Sequence, residues 1–197
     1  MTRDEKRSYH HGNLREALLA EAVRIIEAEG PAALSLRELS RRLGVSHAAP
    51  AHHFPDKAAL LTAIAVDGYE KLAHELWASR EDGFLETGIA YVRFVVNHPG
   101  HIKVMFEPSL YKADDPTVQA ARSRTSSQLF GSAAGLAPED SRRVGLAGWS
   151  LMHGIATLWL TGNLREAGDD PEAAARWLAA VTFRSPKVPP GKGEPAD

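Results

Sequence analysis

The sequence predicts an all-α protein with an N-terminal three-helix helix-turn-helix head and a C-terminal helical bundle. Three observations carry this. Apolar residues recur at helical spacing in nearly every segment, and no stretch alternates in the manner of a strand. Capping residues and Gly or Pro stops fall at the segment ends. One stretch, residues 35–61, carries a short polar helix between two breaks, which is poor material for a core.

Taken in order, residues 13–29 form the first helix. Leu14, Leu18, Leu19, Ala22, Val23 and Ile26 make its apolar face, and Gly30-Pro31 ends it. Ser35 caps the second helix, and Glu38 three residues on completes a capping box. Gly44 supplies the left-handed residue that stops it. Ser46 caps a short third helix to about His53, which Phe54-Pro55 breaks; Pro50 is tolerated at its first turn. Asp56 caps a long helix that runs to about Arg80 and links two domains. Further helices are expected over 84–97, 101–106, 117–130, 138–160 and 170–183. The boundaries follow as 1–12 for a flexible basic arm, 13–56 for the head and 57–80 for a connecting helix. Residues 81–184 form a second, helical domain, and 185–197, rich in Pro and Gly, a disordered tail.

Composition narrows the function. The 197 residues carry a net charge of −2, so the chain is no polycation. Residues 1–60 hold nine Lys and Arg against eight Asp and Glu, so any nucleic-acid affinity is local. The absence of cysteine removes disulfides, thiolate metal sites and thiol nucleophiles. No apolar run approaches the roughly 20 residues of a membrane span, and a cytoplasmic protein without membrane contact is expected. Neither paired Glu-x-x-His nor His-Glu-x-x-His nor Gly-x-Ser-x-Gly occurs, which argues against a helical enzyme. His98 and His101 are the candidate metal pair, with Pro99-Gly100 between them.

Residues 14–61 resemble the DNA-binding domain of TetR-family transcriptional regulators. The landmarks are Gly44-Val45-Ser46, His53-Phe54 before Pro55, and Asp56-Lys57 opening the next helix. The run Gly148-Trp149-Ser150-Leu151-Met152-His153-Gly154, with His98-Pro99-Gly100-His101 and Met105-Phe106, is similar to one subgroup whose ligand domain carries a Trp…His-Gly signature. The resemblance implies a regulator that binds a palindromic double-stranded operator as a homodimer and is released by a small effector, most often a repressor, with residues 81–184 as its effector-binding and dimerisation domain. An activator of the same fold and a metal-sensing regulator are the alternatives. No cofactor is implied.

A short helix in the major groove turns its N-terminal residues to base edges while its neighbours hold phosphates. Ser46, His47 and Ala48 fall at that N-terminal turn, and His47, Ala49 and His52 are the groove-facing candidates. Lys57 is the candidate phosphate anchor, with Arg42 and Thr62 as further backbone contacts. Ala51 stands where the family usually has Tyr, so that phosphate contact is missing. The basic arm, with Arg3, Lys6 and Arg7, resembles arms that follow the phosphates. For the effector pocket the candidates are Tyr91, Phe94, Met105, Phe106, Trp149, Met152 and His153; His153 reads equally as a buried histidine tied to a carbonyl. The last two helices are the expected dimer seam. Gly145, Ala147, Gly148, Ala156 and Gly162 would allow close approach, and Leu146, Trp149, Leu158, Leu160, Trp177, Leu178 and Val181 would supply apolar area.

Overall fold

The computed structural model describes the backbone of residues 3–135 and 139–182, with side chains from residue 14 onward. The expected tail 185–197 lies outside the described residues. The first helix, α1 (Arg3–Glu29), begins well before residue 13, so the segment expected as an arm continues the helix. Nothing between Arg3 and Asn13 forces a break: there is no proline, and the single Gly12 costs a helix only about 1 kcal/mol.

The head is closed by α2 (Leu36–Leu43) and by a turn region that follows it. Ser35 caps α2 by accepting the Glu38 N–H at 3.1 Å. The reciprocal half of the capping box is not made, because the Glu38 carboxylate faces Arg41 and Arg42 instead. Gly44, at φ 65 and ψ 29, lets its own N–H reach the Ser40 carbonyl. The Val45 N–H reaches the same oxygen at 3.1 Å, a Schellman-type stop. Leu39, Leu34 and Phe54 from this region join Leu18, Ile25 and Ile26 of α1 in the head core.

The long helix α3 (Lys57–Ala78) opens on Asp56, whose carboxylate accepts the Ala59 N–H at 2.6 Å. Its first half buries Leu60, Leu61 and Ile64 in the head, and its second half buries Leu72 and Leu76 in the body, so one core runs through both. Around it stand α4 (Phe84–Asn97), α5 (Pro99–Met105), α6 (Pro116–Gly131), α7 (Ser141–Leu160) and α8 (Pro171–Thr182). α3 lies mainly on α6, α4 on α7 and α8, and α5 between α1 and α3. Tyr91 and Phe94 of α4 are the largest fully buried side chains. Two ion pairs tie α8 across α4: Arg93 with Glu172, at 2.6 and 2.9 Å, and Arg176 with Glu86.

The two histidines considered for a metal are each held by a different partner. The Nδ1–H of His98 donates to the Phe94 carbonyl at 3.1 Å, and its ring stacks on Phe94. His101 is buried, and its Nε2–H donates to Asp67 of α3 at 2.8 Å. Burial alone would raise the Asp67 pKa, but hydrogen bonds from His101 and Lys71 overcome it and hold the carboxyl at about 2. Among the described residues, no group of three or more His, Asp or Glu side chains is gathered to hold a metal.

Candidate nucleic-acid interface and effector cavity

The segment expected as a third helix over 46–53 is tighter than an α-helix. Residues 47–49 form a turn, and Pro50–His52 a single 3₁₀ turn. The reason is Pro50. It has no N–H to return to residue 46, and its ring crowds that carbonyl. The backbone therefore closes over three residues: Ala49 N–H to Ser46 O at 3.0 Å, His52 N–H to Ala49 O at 3.3 Å and His53 N–H to Pro50 O at 3.0 Å. Only Phe54 N–H reaches back four residues, to Pro50 O at 2.8 Å. Ala49, not Ser46, holds the N-terminal position of the 3₁₀ turn, and no side chain caps it.

The candidate reading residues sort cleanly by exposure. Ser46, His47, Ala48 and His52 are exposed, Ala49 is half-buried, and Pro50 is buried beneath them. Val45 is half-buried, consistent with its expected inward packing. Lys57 stands at the first turn of α3, where its Nζ donates to the Ala32 carbonyl over a long 3.4 Å. Such a contact is weak and easily exchanged.

Arg42 and Thr62 are differently placed from the sequence expectation. Arg42 sits among three carboxylates: its Nε donates to Glu38 at 2.7 Å, one Nη donates to Glu29 at 2.5 Å, and the other lies 3.6 Å from Glu21. Arg41 grips Glu38 with two hydrogen bonds of 2.9 and 2.6 Å. Hydrogen bonds from Arg41 and then Arg42 hold the Glu38 carboxyl down at about 2, so it stays ionised throughout the working range. Thr62 is buried, donating to the Ala58 carbonyl and accepting the Lys112 N–H, and faces the body.

In the body, a cavity of about 420 Å³ opens between α4, α7 and α8. Of the pocket candidates, Tyr91, Trp149 and Met152 line it, together with Phe84, Leu85 and Leu129, which the sequence did not single out. A second cavity of about 260 Å³ lies between α3, α5 and α6, and it takes in Tyr91, Met105, Phe106 and Trp149. Two candidates fall outside both. Phe94 is 1% exposed and belongs to the core. His153 stands behind the wall, where its Nδ1 meets the Tyr91 hydroxyl at 2.7 Å rather than a carbonyl. Burial lowers the His153 pKa, so the ring is neutral and accepts from the phenol. Its ring also lies against Phe106 and Trp149, with centroids 4.6 and 5.7 Å away, fixing the wall that both cavities share.

Two of the three glycines expected at the dimer seam work inside the subunit. A Cβ on Gly148 would lie 2.4 Å from the Phe84 ring, and one on Gly145 would lie 2.6 Å from Phe130. They make room for aromatic rings at the cavity, not for a second chain. Only Gly154 of α7 faces open space.

Comparison with known proteins agrees at both ends. Residues 18–64 match the model for bacterial regulatory proteins of the tetR family, and residues 84–182 match that for the tetracyclin repressor-like C-terminal domain. The chain belongs to the tetR family. An uncharacterized HTH-type transcriptional regulator of Mycobacterium tuberculosis is 25% identical over 163 residues, covering 79% of this chain and 74% of that protein. A solved structure of a protein of unknown function from Rhodococcus sp. RHA1 is 34% identical, with a TM-score of 0.75, over 89% of this chain and 95% of that one. The TetR-family transcriptional regulator PfmR from Thermus thermophilus shares the fold at 22% identity, with a TM-score of 0.64, over 83% of this chain and 96% of that one.

A tetR-family protein is a DNA-binding transcriptional regulator, and no helix among the described residues is long and apolar enough to cross a membrane. In this tetR-family head the charge balance is a built feature: Glu38 pairs with Arg41 and Arg42 at the surface. Glu38→Gln is therefore expected to raise affinity for all DNA sequences. It should also steepen the salt dependence, by about 0.9 in the logarithmic slope for each additional phosphate neutralised. Fluorescence anisotropy on a random duplex between about 50 and 200 mM salt measures this, and an unchanged slope would show that neither guanidinium reaches DNA.

Proposed function

We propose that the chain is a ligand-responsive repressor that binds a palindromic operator as a homodimer and lets go when a small effector enters the body. The observation that carries the reading is the position of α5. One end supplies Met105 and Phe106 to the second cavity, and the other lies against α1 of the head. An occupant that moves α5 is thereby linked to the reading turn. A ten- to hundredfold release needs only about 1.4–2.7 kcal/mol of differential binding, within reach of one pocket. Of the Trp149…His153-Gly154 run, Trp149 lines both cavities and His153 packs behind it, which is consistent with the subgroup suggested by that signature.

On DNA, His47 and His52 would read base edges, Ala48 and Ala49 would meet methyl groups, and Ser46 and Lys57 would hold phosphates. Arg42 joins them only when it leaves its carboxylates. The test is a gel shift on the DNA flanking the chain's own gene. A sequence-selective, salt-sensitive shift is expected, and its absence at low salt would end the proposal. Lys57→Ala should weaken binding to every sequence alike, and His47→Ala should change the preferred sequence by about 1–3 kcal/mol at one base position. Equal loss on all operator variants would remove His47 from base reading.

A further inference from the structure

The second cavity has the more polar lining of the two. Most of its hydrogen-bonding groups are already engaged within the protein. The Tyr69 hydroxyl donates to the Met105 carbonyl at 3.0 Å, and the Thr125 hydroxyl to the Tyr69 carbonyl at 2.9 Å. The Tyr91 hydroxyl is held by His153. Arg122 and Ser126 differ. They stand one turn apart on the same face of α6, both exposed and both lining the cavity. The Arg122 guanidinium lies 6.0 Å from the centre of the Tyr69 ring, and among the described residues neither Arg122 nor Ser126 has a side-chain hydrogen bond or ion pair. The neighbouring Arg124, by contrast, is paired with Glu70 at 2.9 Å.

We propose that Arg122 and Ser126 receive the carboxylate of an amphipathic acid, whose unsubstituted hydrocarbon body passes Phe106 and Trp149 into the larger cavity. This rests on the effector reading above and names the ligand class. A guanidinium presents paired N–H donors matched to a carboxylate, and the Ser126 hydroxyl adds a further donor. The two cavities lie back to back across Tyr91, Leu129 and Trp149, so a body anchored at α6 reaches the first once these side chains turn aside. There Phe84, Leu85 and Met152 offer no polar partner, and the Thr87 hydroxyl already donates to the Gly83 carbonyl at 3.1 Å. Hydroxyls along the ligand's body would thus be buried without a partner, which disfavours polar ligands of the same size. Asp82 also lines the first cavity, but it is exposed, shares a surface cleft with Arg93 and does not line the second. It keeps an anionic head at the α6 end.

Calorimetric titration of the full chain with decanoate, neutral decanamide and decyltrimethylammonium tests this. Decanoate is expected to bind about tenfold tighter than decanamide. Arg122→Gln should bring decanoate down to the level of decanamide and leave decanamide unchanged, whereas Arg122→Lys should keep part of the preference. Equal binding of acid and amide to the unaltered chain, or equal loss of both in Arg122→Gln, overturns the head-group assignment and leaves the cavity reading standing. Tightest binding of decyltrimethylammonium overturns it in favour of Asp82. Failure of all three to bind removes the cavity reading itself, and the carboxylate site with it.

Discussion

Trp177→Asp is expected to leave the subunit folded, split the proposed dimer and remove tight operator binding. Five of the eight large apolar side chains exposed among the described residues lie on α7 and α8: Leu146, Leu158, Leu160, Trp177 and Val181. Trp177 is 59% exposed and Val181 58%, and the two are neighbours one turn apart on α8. Exposed apolar side chains concentrated on two helices of a chain with a buried core elsewhere fit the proposed dimer interface, with a second copy of the same helices as the simplest partner. Gly154, with open space around its Cα, lies on the outer side of α7 and lets another helix come close. Loss of a central aromatic anchor costs about 2 kcal/mol or more, roughly 30-fold in dimer affinity, and a buried aspartate adds to that. Sedimentation should report a monomer with an unchanged helical circular dichroism spectrum. Affinity for a full operator should fall to that for a half-site, since two half-sites about 34 Å apart no longer share one protein. A Trp177→Asp chain that remains dimeric would remove this face from the interface.

The head was legible where the decisive chemistry is local. The Ser35 and Asp56 caps and the left-handed Gly44 each act within a few residues, and each appears where the sequence placed it. The reading segment was less so, because the sequence pattern registers a polar helix while the outcome turns on one missing N–H at Pro50. Arg42 looked like a free cation because Glu21 and Glu29 approach it only once α1 folds against α2. The cavity was half legible for the same reason. Trp149 and Met152 announced themselves as bulky apolar groups beside a glycine, but Gly148 takes its meaning from Phe84, far away in the chain. A glycine in a helix signals that something comes close; it does not say whether the visitor belongs to the same chain.

Gly100 poses that question where the head meets the body, and Gly100→Ala is expected to loosen the join. A Cβ there would lie 2.7 Å from the Val23 carbonyl oxygen and 2.9 Å from Val23 Cγ1. The oxygen belongs to the backbone of α1 and has no rotamer by which to retreat, so α1 and α5 must part. Two further contacts hold the same join. Lys103 donates to the Glu27 carbonyl at 2.9 Å, satisfying an acceptor left open at the end of α1, and His101 holds Asp67 of α3. Overpacking of this kind costs about 1–3 kcal/mol, seen as a lower denaturant midpoint. Gly131→Ala, which meets nothing within 4 Å, is the matched control and should be neutral or mildly stabilising. Hydrogen exchange supplies the second readout. If α5 steadies the last turn of α1, amides there should exchange faster in Gly100→Ala and at the original rate in Gly131→Ala. A lowered midpoint with α1 exchange unchanged would mean that the added methyl strains α5 alone. The path from cavity to head would then have to run along α3.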